Sequence, residues 1–163
     1  GQLFPPYSPL FLVLHAPFAL LPLDLAAEAY LGVSLCLLLV LAWQSLRLAE
    51  LPTSLDWLLG VAGLVLLTRA GHMNLFLGQC TLQVVIATYL AMDSPQRRGW
   101  LPVLGLAVTT MKPTFGGPLS ILLLAQGRFR TVMLGWSLAA VITVPATWRL
   151  VEHAGGYGAF FEA

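Results

Sequence analysis

The stretch that decides the fold is AYLGVSLCLLLVLAWQSL, from Ala29 to Leu46. It carries no charge and ends in Trp43 and Gln44 just before Arg47. As a helix it would be about 27 Å long, close to the ~30 Å of hydrocarbon in a bilayer. A tryptophan and then an arginine at its end suit an aqueous interface. Working outward, two more runs of that kind follow, Asn74–Met92 and Thr131–Trp148, the latter containing Pro145, which a membrane helix tolerates. All three are expected to cross in full. Trp57–Thr68, Trp100–Met111 and Pro113–Gln126 are shorter, roughly 12 to 15 residues, as suits broken, tilted or partly buried helices. The segment Ser8–Leu21 contains Pro9 and Pro17; it either spans with a kink or is re-entrant.

Composition agrees. Of 163 residues, 58% are hydrophobic and 9% charged, and mean hydropathy is +0.85. Soluble domains are about 25% charged, so these charges cannot cover a soluble surface. The expected fold is all-α: one polytopic transmembrane bundle over residues 1–163, with about six or seven membrane segments, several short or broken. Net charge is +1, which gives no footing for a nucleic-acid partner. Cys36 and Cys80 lie inside apolar runs and read as small buried hydrophobes. No cofactor or metal site is expected, because no His, Cys or carboxylate set has ligand spacing. The chain begins with Gly1 and reads as a piece of a longer membrane protein.

The connections RLAELPTSLD (Arg47–Asp56), DSPQRRG (Asp93–Gly99) and QGRFR (Gln126–Arg130) hold most of the charge. Arg47, Arg97 with Arg98, and Arg128 with Arg130 recur every second crossing, which places all three loops on the cytoplasmic side. RAGHMN (Arg69–Asn74) and MKPT (Met111–Thr114) then face outward, and Arg69 and Lys112 are exceptions to the charge bias.

Lys112 lies within TTMKPTFGGPL (Thr109–Leu119). An ammonium at membrane depth costs about 2.5 to 3.5 kcal/mol on insertion scales, so it snorkels to the interface or meets an anion. Pro113 breaks the helix beside it, and Gly116 and Gly117 permit close approach of a backbone or a headgroup. A cation next to a helix start fits a phosphate. A second cluster, His72, Asn74 and Gln79, sits where a membrane span begins. Gln79 either bonds a neighbouring helix or holds a sugar hydroxyl, since a buried amide needs partners. His72 reads more readily as an interfacial histidine than as a base. A third stretch, FPPYSPLFLVLHAPFALLP (Phe4–Pro22), begins with a rigid proline-rich entry in which Tyr7 fits an interfacial anchor. Trp43, Trp57, Trp100 and Trp148 read as an aromatic belt.

Taken in order, FPPYSPLFLVLHAPFALLP, NLFLGQCTLQ and GLAVTTMKPTFGGPLSILLLAQGRFR resemble glycosyltransferase family 87, over about Leu3 to Arg130. The matching positions are Tyr7 with its flanking prolines, Asn74 with Gly78 and Gln79, and Lys112 with Pro113. The resemblance implies a GT-C-type fold. It also implies transfer of a sugar, mannose or another hexose, from a polyprenyl-phosphate donor to a lipid or glycan acceptor at the outer face of a bacterial cytoplasmic membrane. Membrane lipid, donor and acceptor are then its partners. The substrate-binding set carried over is Lys112, Gln79, Asn74, His72 and Tyr7. The family often has Asn shortly after Gly-Gln, where Cys80 and Thr81 stand here. Its catalytic aspartate belongs upstream of the tyrosine–proline stretch, so Asp24, Asp56 and Asp93 do not inherit that role, and this piece is expected to be inactive alone. The rival classes are a piece of a secondary transporter and a non-catalytic membrane scaffold; paired half-repeats, which transporters usually show, are not apparent in the sequence.

Overall fold

The computed structural model describes residues 8–76, 79–92, 99–153 and 155–156. Among them are eight helices and no strand: α1 Pro9–Ala19, α2 Leu23–Leu48, α3 Leu55–Leu67, α4 Arg69–Phe76, α5 Thr81–Met92, α6 Leu101–Thr109, α7 Pro113–Ala125 and α8 Phe129–His153. Only α2 and α8, of 26 and 25 residues, are long and apolar enough to cross a membrane alone. The pair α3 and α4 passes that test jointly but bends by 82° at its junction. Large apolar side chains such as Leu20, Leu23, Leu67, Phe76, Ile121 and Val141 are fully displayed on the outside. With so few charges in the chain, that surface suits lipid rather than water. The bundle is an integral membrane one.

Two expectations need correction. Asn74–Met92 is not one full-length span: α4 ends at Phe76 and α5 starts only at Thr81. The reason is local. Asn74 turns its own polar groups onto the chain ahead, accepting from the Gln79 amide with its carbonyl and from the Thr81 amide with its side chain. These bonds satisfy amides that a continuous helix would spend elsewhere. Cys36 is the other correction; it is exposed on α2, whereas Cys80 is buried. The segment at Ser8–Leu21 becomes an 11-residue helix, about 16 Å long, too short to cross by itself.

The short helices pack against the long ones through small residues. A Cβ at Gly105 of α6 would stand 2.5 Å from the Ala87 carbonyl oxygen of α5, so the two backbones touch. At Gly135 of α8 it would meet Leu106 of α6 at 2.9 Å. One core cluster joins Leu38, Leu41 and Ala42 of α2 to Ala62, Leu82 and Ile86. A second joins Ala91, Leu106, Leu119, Leu123 and Val132. The third, Leu10, Cys80, Val84 and Met111, with Phe11, Val108 and Ile142 against it, supports the site.

Candidate functional site

The third core cluster takes one fully buried residue from each of the three sequence motifs: Leu10 is 2% exposed, and Cys80 and Met111 are 0% exposed. Each is next to, or a few positions from, a polar residue that the chain must then place nearby. Met111 brings Lys112, Cys80 brings Gln79 and Thr81, and Leu10 brings Ser8, whose amide donates to the Met111 carbonyl at 2.9 Å. Burial of apolar side chains thus draws together polar groups that are far apart in sequence.

Lys112 is the residue on which α7 begins. Its backbone is extended, its carbonyl accepts from the Phe115 and Gly116 amides, and Pro113 occupies the first helical position. Proline fits there because that amide has no intrahelical partner to lose. The half-buried ammonium reaches back to the start of α5 and donates to Thr81 Oγ1 at 3.2 Å. On another side it lies 5.9 Å from the Phe115 ring centroid. Thr81 Oγ1 donates to Gln79 Oε1 at 3.4 Å. The Thr81 amide donates to Asn74 Oδ1 at 3.1 Å, so Asn74 serves as a remote cap for α5. Tyr30 of α2 closes the group from outside, its hydroxyl donating to the Gln79 carbonyl at 3.2 Å.

Asn74 is 5% exposed and its Nδ2 is buried without a hydrogen-bond partner. An amide N–H can only donate, so the oxygen of Asn74 must face Thr81 and Nδ2 faces the other way. A buried donor left unsatisfied costs about 1 to 3 kcal/mol. Lys112 thus supplies positive charge and Asn74 a spare donor, both tied to Thr81; each suits an oxyanion or a sugar oxygen.

Depth follows from helix lengths. Tyr30 stands 17 positions before Arg47 on α2, about 26 Å along the axis. Lys112 precedes α7, whose 13 residues set it about 20 Å from Arg128. The group thus lies far along the helices from both Arg47 and Arg128. Beside it a groove of about 350 Å³ is lined by Met111, by Val108 and Leu104 of α6, by Gln83 and Leu90 of α5, and by His15 of α1.

Of the residues singled out in the sequence, Lys112, Gln79 and Asn74 come together. His72 does not join them: it is exposed on α4, with its ring stacked on Phe76. Tyr7 and Gly78 lie outside the described residues. Gly116 packs tightly, a Cβ there meeting Thr110 Cα at 3.1 Å, whereas Gly117 faces open space. Thr81, the link between the other three, went unnoticed in the sequence, where it registers only as a departure from the family pattern; its place at the first position of α5 was the available signal. No three His, Cys, Asp or Glu side chains gather as a metal site among the described residues.

The family model for glycosyltransferase family 87 matches residues 4–162, nearly the whole chain. The chain belongs to glycosyltransferase family 87. Curated proteins and solved structures give no match. For a family 87 protein, membership implies a membrane glycosyltransferase that takes a sugar donor and an acceptor. The sequence motifs that suggested the family are the ones the third core cluster brings together.

Proposed function

We propose that the protein transfers a hexose, mannose foremost, from a polyprenyl-phosphate donor to a lipid or glycan acceptor, at the outer face of a bacterial cytoplasmic membrane. The observation that carries this reading is the half-buried ammonium of Lys112 linked through Thr81 to Asn74, whose Nδ2 is buried without a partner, far along the helices from Arg47 and Arg128. Positive-inside bias puts those arginines in the cytoplasm and the recess toward the outer leaflet. A lipid-borne phosphate reaches such a place because its tail stays in the bilayer while its head meets the cation.

In the proposed reaction the acceptor hydroxyl attacks the anomeric carbon, the bond from that carbon to the phosphate oxygen breaks, and the phosphate leaves with the electron pair. Lys112 and the α7 start stabilise the leaving charge, and Asn74 donates to a phosphate or sugar oxygen. Gln79 orients the sugar through Thr81. The family pattern assigns the acceptor's proton to an aspartate upstream of the tyrosine–proline stretch, acting as general base.

The test is Lys112→Met in the full-length enzyme, assayed in proteoliposomes with farnesyl-phosphate mannose as donor. Transfer is expected to be lost while expression and the size-exclusion profile stay unchanged. Wild-type kinetics in that variant would refute the reading.

A further inference from the structure

Thr81 has more bonds than its place in a helix demands. A residue at the first position of a helix needs only its amide capped, and Asn74 does that. The hydroxyl is spent on something else. Its single proton goes to Gln79 Oε1, which leaves a lone pair for Lys112 Nζ, 31 positions ahead in the chain. One residue thus touches both donors of the recess: its amide fixes which way the Asn74 side chain faces, and its hydroxyl fixes where the ammonium sits.

Lysine has a long, flexible stem, and holding its head in one place requires a partner. Phe115 bounds the head at 5.9 Å on one side and Thr81 holds it at 3.2 Å on another. We propose that Thr81 is a positioning residue that holds the Lys112 ammonium where a phosphate group meets it. This rests on the reading of Lys112 as the phosphate-binding cation. Thr81 does not itself need to contact the phosphate. A group held in place before the ligand arrives binds it more tightly, because less freedom is lost on binding.

The experiment measures binding of farnesyl phosphate, and of farnesol as a control without phosphate, to the full-length protein in nanodiscs. Lys112→Met is expected to weaken farnesyl phosphate by about 10- to 100-fold. Thr81→Val, similar in shape but without the hydroxyl, should weaken it by about 3- to 10-fold, the worth of one hydrogen bond. Thr81→Ser should stay within about twofold of wild type, because it restores the hydroxyl. On the Lys112→Met background Thr81→Val should add nothing, since there is no ammonium left to hold. Farnesol binding should be unmoved throughout.

Each alternative outcome is informative. Wild-type binding in Lys112→Met removes the phosphate reading itself, and this inference with it. A weakened Lys112→Met with an unaffected Thr81→Val overturns the positioning role alone. A Thr81→Val loss that persists in full on the Lys112→Met background, or a Thr81→Ser as weak as Thr81→Val, assigns Thr81 to packing and overturns it as well. Should Thr81→Val fail to give a folded protein by size exclusion, Thr81→Ala, which asks less of the surrounding packing, carries the same comparison.

Discussion

The two ends of α7 carry the same sign of charge, each at a junction between two helices, but the two cations meet different neighbours. At the C-terminal end, Gly127 takes φ +74, its amide donates to Leu124, and the Arg128 amide donates to Leu123. That is a glycine stop, and Arg128 stands between it and the start of α8, its carbonyl accepting from the Val132 amide and its Nη1 buried without a hydrogen-bond partner. At the N-terminal end, Lys112 stands between the C-terminal end of α6 and the start of α7, so two helix dipoles oppose each other there as they do at Arg128. It is also recessed by roughly 20 Å from the Arg128 end, among buried side chains. What separates them is contact: the Lys112 ammonium donates to Thr81 Oγ1 at the start of α5, among the residues of the family motifs. A cation held against a second polar segment is the one to test for a ligand.

The sharpest way to break that contrast is to neutralise each end in turn. In the full-length enzyme, Lys112→Met should abolish sugar transfer, while Arg128→Gln should leave it within about twofold, because Arg128 lies outside the recess. The same pair makes a second demand on stability. Lys112→Met loses the bond to Thr81 and should lower the melting temperature in detergent slightly, whereas Arg128→Gln, which removes a guanidinium with a buried unpartnered nitrogen, should leave it level. A melting temperature for Lys112→Met above that of wild type would show that the contacts of the ammonium do not stabilise the fold.

A smaller effect belongs to Asn74, where cap and donor can be separated. Asn74→Asp keeps an oxygen for the Thr81 amide but replaces the free Nδ2 with negative charge. Farnesyl phosphate binding should fall by about tenfold or more with little loss of stability, while Asn74→Leu should lose both. Equal melting temperatures for Asn74→Leu and wild type would count against the capping role.

Packing glycines complete the series. Gly105→Val forces α5 and α6 apart and should destabilise by about 1 to 3 kcal/mol, read as a lowered melting temperature. Nearer the cation, Gly116→Ala should be mildly destabilising and Gly117→Ala close to neutral for folding, because only the former has a backbone within 3.1 Å. If the two behave alike, the tight contact between the α6 end and the α7 start is not what fixes the Lys112 backbone.

Much of this was legible in the residues. Window hydropathy is a local sum, so the charge-free runs at Ala29–Leu46 and Thr131–Trp148 announced α2 and α8, and the lengths of α3, α6 and α7 followed from where the apolar residues stop. The break before α7 was readable because Pro113 acts on its own backbone. The run Asn74–Met92 misled for the same reason: hydropathy does not register that one asparagine can bond two amides ahead and interrupt a helix.

The sequence by itself determined an apolar helical bundle, its family, and a cation at a helix start. It could not say that Lys112 would meet Thr81, that Asn74 would keep a donor free, or that His72 would face outward. Those depend on Leu10, Cys80 and Met111 burying one another from three distant segments. Hydropathy and backbone preference act between near neighbours in the chain, whereas a binding recess is made by side chains that only packing brings within hydrogen-bond reach.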